Sequence, residues 1–139
     1  MRYLVACLAL CASPAFAEPQ FIACEALSAV DGDTIRCDGQ RMRPMGPGAP
    51  YVSGFDAPET GNRARCDEER ILAARATLRM SELLETPGLL IEDSGEVDPF
   101  DRPLIWLRLP DGSTIGEVMI NEGLARVWLP GRRNDWCND

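Results

Sequence analysis

The sequence predicts an α+β fold, a small β-barrel of about five short strands with inserted helices. Three observations point there. Short apolar runs are separated by Asp-Gly pairs at Asp31-Gly32, Asp38-Gly39 and Asp111-Gly112, a strong local signal for hairpin turns. One stretch, Cys66 to Glu85, sustains a helical pattern over several turns. Strands and helices do not alternate, so a layered parallel sheet is not expected.

The chain starts with a short positive pair, Met1-Arg2, an apolar run from Tyr3 to Ala12, and a small-x-small site at Ala15-Phe16-Ala17. This pattern reads as a secretory signal over residues 1–17, with the apolar run too short to span a bilayer. Leu4-Val5-Ala6-Cys7 could be read as a lipoprotein box, but the apolar run before Cys7 is too short for one. Loss of 17 residues from 139 leaves 122, enough for one domain over 18–139 with one core. The expected address is export, to a periplasm or to the medium, as a monomer with no membrane span after cleavage.

Gln20 to Ala29 reads as a strand that turns at Asp31-Gly32, and Thr34 to Cys37 returns from it. Gln40 to Met45 is a third strand, in which Pro44 predicts an edge or a bulge because proline cannot donate to a ladder. Gly46-Pro47-Gly48-Ala49-Pro50 is a stiff loop leading to Tyr51–Phe55 and the turn at Asp56. The helix from Cys66 carries Asp67, Glu68 and Glu69 in its first turn, where the macrodipole favours acids. It sets Leu72, Ala76, Met80, Leu83 and Leu84 on one face, and Pro87-Gly88 ends it. Leu89–Ile91 and Leu104–Leu109 are apolar strands, and a short helix over Thr114–Glu122 stops at Gly123.

After signal removal four cysteines remain, Cys24, Cys37, Cys66 and Cys137. An even number in a small exported domain predicts two disulfides. Of the three pairings, Cys24–Cys37 across the hairpin with Cys66–Cys137 holding the C-terminus is favoured. A zinc site lacks both a CxxC pair and any His.

Every basic residue is Arg; there is no Lys and no His. A histidine base, a lysine Schiff base and a Ser-His-Asp triad are therefore excluded. Proton transfer falls to Asp, Glu, Tyr or water, and Arg is the available cationic clamp for phosphate. With 13 Arg against 22 Asp and Glu, the mature chain carries about −9, opposite to the basic footprint usual for nucleic-acid binders. Polyanion binding should then be local and metal-dependent.

Two acidic turns carry the chemistry: Val30-Asp31-Gly32-Asp33-Thr34 and Gly54-Phe55-Asp56-Ala57-Pro58-Glu59-Thr60. Brought together, they offer hard oxygen donors, and Glu59 could move a proton rather than hold metal. Singly, these residues read as turns, helix caps and surface ion pairs. Trp106 reads as core; Trp128 and Trp136, near Arg126, Arg132 and Arg133, are candidates for base stacking.

Asp31-Gly32-Asp33-Thr34, Arg41-Met42-Arg43, Gly54 to Thr60, Asp98-Pro99-Phe100-Asp101-Arg102 and Asn121-Glu122-Gly123-Leu124-Ala125 follow one another in the order and rough spacing of the staphylococcal nuclease (thermonuclease) family. The chain resembles that family from about Ile22 to Val127. The resemblance implies a five-stranded OB-fold barrel with two to three helices and Ca²⁺-dependent hydrolysis of phosphodiester bonds in DNA or RNA. It implies that Asp33, Asp56 and the Ala57 carbonyl bind Ca²⁺, that Glu59 is the general base, and that Arg102 holds the phosphate. Ala57 stands where the family has threonine, Phe100 where it has tyrosine, and Asp101 where it has glycine. The family's second arginine lies five residues before the aspartate that Asp56 matches, a position held by Tyr51. Asp38 to Arg43 matches the run up to that arginine, so an insertion between Arg43 and Gly54, bulging outward, would leave Arg43 in its role. The alternative expectation is a binding module on the same barrel without hydrolysis; a third is a purely structural exported domain.

Overall fold

The computed structural model describes residues 18–46 and 54–138. The expected signal segment and the loop 47–53 lie outside the described residues. Strands β1 (Gln20–Ile22), β2 (Leu27–Ala29), β3 (Ile35–Cys37), β4 (Gln40–Pro44) and β5 (Phe55–Asp56) precede helix α1 (Asp67–Leu84). Strands β6 (Leu90–Val97) and β7 (Pro103–Arg108), helix α2 (Ile115–Asn121) and strand β8 (Arg126–Val127) follow. Six strands form one sheet in the order β1-β6-β7-β4-β3-β2, and β5 pairs with β8. All pairings are antiparallel except β4 with β7.

The chain connectivity requires this sheet to curl. Strands β1 and β2 lie on opposite edges yet are joined by residues 23–26 alone. A flat six-stranded sheet would separate its edges by ~24 Å. The connection from Ile22 to Leu27 reaches ~18 Å at most. The fold is thus α+β with a curled, half-barrel sheet and two helices.

The segment expected as one strand, Gln20–Ala29, is divided, which is why six strands stand where about five were expected. The Asp38 carboxylate accepts the backbone N–H groups of Glu25 and Ala26 at 3.0 and 2.7 Å, and the Ala26 carbonyl accepts the Asp38 N–H at 2.9 Å. Beside it, Cys24 is disulfide-bonded to Cys37. These bonds take the backbone of 24–26 out of the β1 ladder and hand it to β3. The second disulfide joins Cys66 to Cys137, so the favoured pairing is the one present.

Pro44 is on an interior strand, not at an edge. β3 pairs with Gln40–Met42 and β7 with Arg43 and Pro44, so the proline sits where the β3 ladder has ended. The parallel register sets Arg43 beside Leu104.

The core is built from Ile35, Met42, Phe55, Ala76, Met80, Ile105, Leu107, Ile115 and Met119. Helix α1 packs on β2 and α2, and α2 on β7. A capping box starts α2: the Glu117 N–H donates to Thr114 Oγ1 at 3.2 Å and the Thr114 N–H to Glu117 Oε2 at 2.7 Å. The tightest approach is at Gly32. A Cβ there would stand 2.7 Å from the Ala57 Cβ and 2.8 Å from the Ala76 Cβ. The first acidic turn, the second acidic turn and α1 therefore meet at a point where no side chain fits. Gly32→Ala should destabilise the protein by ~1–3 kcal/mol through overpacking. Pairing it with Ala76→Gly should recover part of the loss. Urea unfolding of the two variants tests this, and an unchanged midpoint for Gly32→Ala would refute it.

Candidate active site

The two acidic turns, the end of β4 and the loop before β7 converge on one cleft of about 690 Å³. Asp33, Arg43, Asp56, Ala57, Glu59 and Arg102, the six residues singled out in the sequence, all line it.

Asp33 is at the centre and is buried. Its Oδ1 meets Arg43 Nη1 at 2.7 Å and accepts the Thr34 hydroxyl at 3.3 Å; its Oδ2 accepts the Ala57 N–H at 2.8 Å. Arg43 also donates from Nη2 to the Phe55 carbonyl at 2.7 Å. Burial raises the Asp33 pKa; the Arg43 guanidinium pulls it down, Asp31 raises it, the Ala57 N–H lowers it and Asp56 raises it. The outcome is a carboxyl pushed up to about 7.

Arg43 reaches this cleft although residues 47–53 intervene before the second turn. Gly46 and Gly54 abut: a Cβ on Gly46 would stand 3.1 Å from the Gly54 carbonyl oxygen. The chain therefore leaves and returns at one place, and Arg43 keeps its position on the strand. The expected outward bulge falls outside the described residues.

Arg102 is fixed by Asp98. The Asp98 carboxylate accepts the N–H groups of Phe100 and Arg102, both at 2.9 Å, and Arg102 Nε at 2.6 Å. Despite its partial burial, Asp98 is held below the usual carboxylate range by these donors. Arg102 Nη1 then reaches Thr34 Oγ1 at 3.3 Å. Asp101 has φ +58°, a left-handed conformation that Asp accepts more readily than most residues. Phe100 is exposed, with the Arg102 guanidinium 5.5 Å from its ring centroid.

Glu59 is exposed enough to meet water, with 36% of its side-chain surface accessible, and pairs with Arg63 Nε at 3.1 Å. Its backbone N–H donates to Glu69 Oε1 at 3.2 Å. Glu69 is fully buried and its Oε2 accepts the Arg65 N–H at 2.7 Å. This role was not read from the sequence, where Glu69 looked like a dipole-complementing acid. The available signal was its place three residues after the helix-capping Cys66, the position at which a glutamate turns back toward backbone donors. Arg63, Gln40 and Arg41 also line the cleft, and Asn134 donates to Asp56 Oδ2 at 3.0 Å. Nothing local in the sequence brings Asn134 there.

Trp136 is buried, with the Arg126 guanidinium 4.4 Å from its ring centroid, so it packs rather than waits for a base. Trp128 remains partly exposed.

Asp33, Asp56 and Ala57 line the same cleft, and carboxylate and carbonyl oxygens are the donor type that a hard cation prefers. Burial is the main cause of the raised Asp33 pKa, with Asp31 and Asp56 adding to it, and a cation beside these carboxylates would favour the ionised form. Among the described residues, the clusters of three close ligand atoms are Cys24/Cys37/Asp38 and Cys66/Glu69/Cys137. Both are centred on disulfides, which offer no thiolate. A cation held by Asp33 and Asp56 would complete its shell with water, as calcium allows.

The chain matches no protein-family model and no curated protein.

Because the folded Asp33 carboxyl keeps its proton up to about 7, against 3.8 ordinarily, the folded state binds more protons than the unfolded between those values. Stability from this group therefore falls as pH rises through that window. Carboxyl NMR of cation-free protein should find Asp33 titrating near 7, and Arg43→Gln should push it higher. A midpoint near 4 in the folded protein would contradict the assignment.

Proposed function

We propose that this chain is an exported, Ca²⁺-dependent nuclease that hydrolyses phosphodiester bonds of DNA or RNA, built on the OB-fold of the staphylococcal nuclease family. The observation that carries the reading is convergence: two acidic turns, one base-type glutamate and two arginines from four chain segments line one open cleft. Two disulfides suit a non-reducing compartment. Among the described residues no helix is long and apolar enough to cross a membrane.

Calcium held by Asp33, Asp56 and the Ala57 carbonyl would supply Lewis-acid stabilisation of charge on the phosphoryl oxygens. Glu59 takes a proton from the attacking water, since its carboxylate faces solvent and no histidine or lysine exists to do so. Arg63, which lines the same cleft, pairs with Glu59 there. Arg43 and Arg102 hold the phosphate. Arg43 uses two N–H groups on Asp33 and Phe55 and keeps others for an oxyanion.

A second reading, a module that binds nucleic acid without cutting it, draws on one observation. Each candidate catalytic group is already ion-paired within the chain: Arg43 with Asp33, Glu59 with Arg63, and Arg102 with Asp98. Digestion of single-stranded DNA with Ca²⁺ and with chelator separates the two. Under the nuclease reading, cleavage requires Ca²⁺, and Glu59→Gln or Arg102→Gln lowers turnover by ~10²–10⁴-fold with the fold intact. Wild-type rates in Glu59→Gln would sink the mechanism. Binding without cleavage at any pH from 7 to 10 would favour the module.

A further inference from the structure

The polar C-terminal tail makes a contact that the chemistry above does not use. Asn134 Nδ2 donates to Asp56 Oδ2 at 3.0 Å and lies 3.4 Å from the Val127 carbonyl oxygen. Two acceptors around one nitrogen fix the orientation of the amide. Among the described residues, no other side chain hydrogen-bonds the Asp56 carboxylate.

Among the described residues no helix or strand follows β8; a segment without such pairing would ordinarily fray. Cross-links hold it instead. Cys137, three residues after Asn134, is bonded to Cys66 at the start of α1. Arg65 Nη2 donates to the Asn134 carbonyl at 2.8 Å, and Arg126 of β8 donates to the Asp135 carbonyl. Buried Trp136 lies under the same Arg126. Arg65 and Glu59 both donate their backbone N–H groups to Glu69. One cross-linked unit therefore grips the second acidic turn at both ends, at Asp56 through Asn134 and at Glu59 through Glu69.

We propose that Asn134 is a positioning residue for Asp56 and that the Cys66–Cys137 bridge keeps it in place, so that cation binding in the cleft depends on the tail. The inference rests on the reading of Asp33 and Asp56 as cation ligands. A neutral amide suits the task. It occupies one carboxylate oxygen and fixes the side chain without cancelling its charge, as an arginine would, and leaves the other oxygen for a cation.

Calorimetric titration with Ca²⁺ tests this in wild type, Asn134→Leu, the Cys66→Ala/Cys137→Ala pair, and the three changes combined. Asn134→Leu keeps the volume and loses the donor. It should bind Ca²⁺ about 10–100-fold more weakly, with an unchanged melting temperature in chelator. The cysteine pair should lose a similar factor, and the combination no more than the cysteine pair alone, because both act through one contact. Equal affinity in wild type and Asn134→Leu overturns the proposal and leaves the cation reading standing. A wild type that binds no Ca²⁺ overturns both. Additive losses overturn the link to the disulfide. Asn134→Leu retains the bridge, so its result stands even if the cysteine variants fail to fold.

Discussion

A carboxylate buried at Asp33 organises both the fold and the cleft. Taking that charge out of water costs several kcal/mol unless partners are supplied, and the partners come from separate parts of the chain. Arg43 comes from β4 and the Ala57 N–H from the second acidic turn, while the Thr34 hydroxyl is the neighbour within the first turn. Thr34 in turn accepts a hydrogen bond from Arg102, the residue before β7. Satisfying one oxygen pair thus gathers the four segments that make the cleft. The cost is not fully offset: burial, with Asp31 and Asp56 adding to it, keeps the carboxyl at a pKa of about 7 against the pull of Arg43 and the Ala57 N–H. A residue chosen for stability alone would not sit there, since replacing buried ion pairs by apolar groups is often neutral or stabilising.

The curled sheet explains how the two arginines come to share one cleft. β4 and β7 are the one parallel pair, with Arg43 opposite Leu104. That register places Arg43 near the N-terminal end of β7, which Arg102 immediately precedes. The parallel arrangement is possible because β5, α1 and β6 form the long connection that parallel strands need. At the far edge, the Asp38 carboxylate and the Cys24–Cys37 bridge redirect the chain from β1 to β2.

Much of this was legible in local chemistry. Asp-Gly pairs marked turns because Asp and Gly tolerate the positive φ seen at Asp38 and Gly39. Acids in the first turn marked the start of α1. The two acidic turns could be read from their own residues, whereas Arg43 and Arg102 were singled out only through the resemblance; all of them line one cleft. What could not be read depended on contacts between distant positions. The split of Gln20–Ala29 needs Asp38; the function of Glu69 needs Glu59 to fold back over the helix start; the placement of Asn134 needs a bridge spanning 71 residues. Trp136 read as a candidate for base stacking, yet it is buried with the Arg126 guanidinium of β8 over its ring. Pro44 pointed to an edge or a bulge, yet it sits in an interior strand, because that strand has left β3 by then and taken β7 as its partner.

The charge of the cleft connects the acidic composition to the proposed substrate. Its lining carries Asp31, Asp33, Asp56, Glu59 and Asp101 against Arg41, Arg43, Arg63 and Arg102. The formal balance is one negative charge, less when Asp33 holds its proton. A polyanion gains nothing by entering such a site from a distance, and the overall charge of −8 adds no steering. A divalent cation among the carboxylates would reverse the local sign and remove the proton from Asp33. It would also compete with Arg43 for the same oxygens and so loosen the guanidinium toward a phosphate. Cation and phosphate binding are then coupled, and the coupling is reciprocal: whatever affinity the cation confers on the phosphate, the phosphate returns to the cation. An acidic protein can in this way act on an acidic polymer. Under the proposed function the attraction would be confined to the surroundings of Asp33 and would exist once the cation is bound.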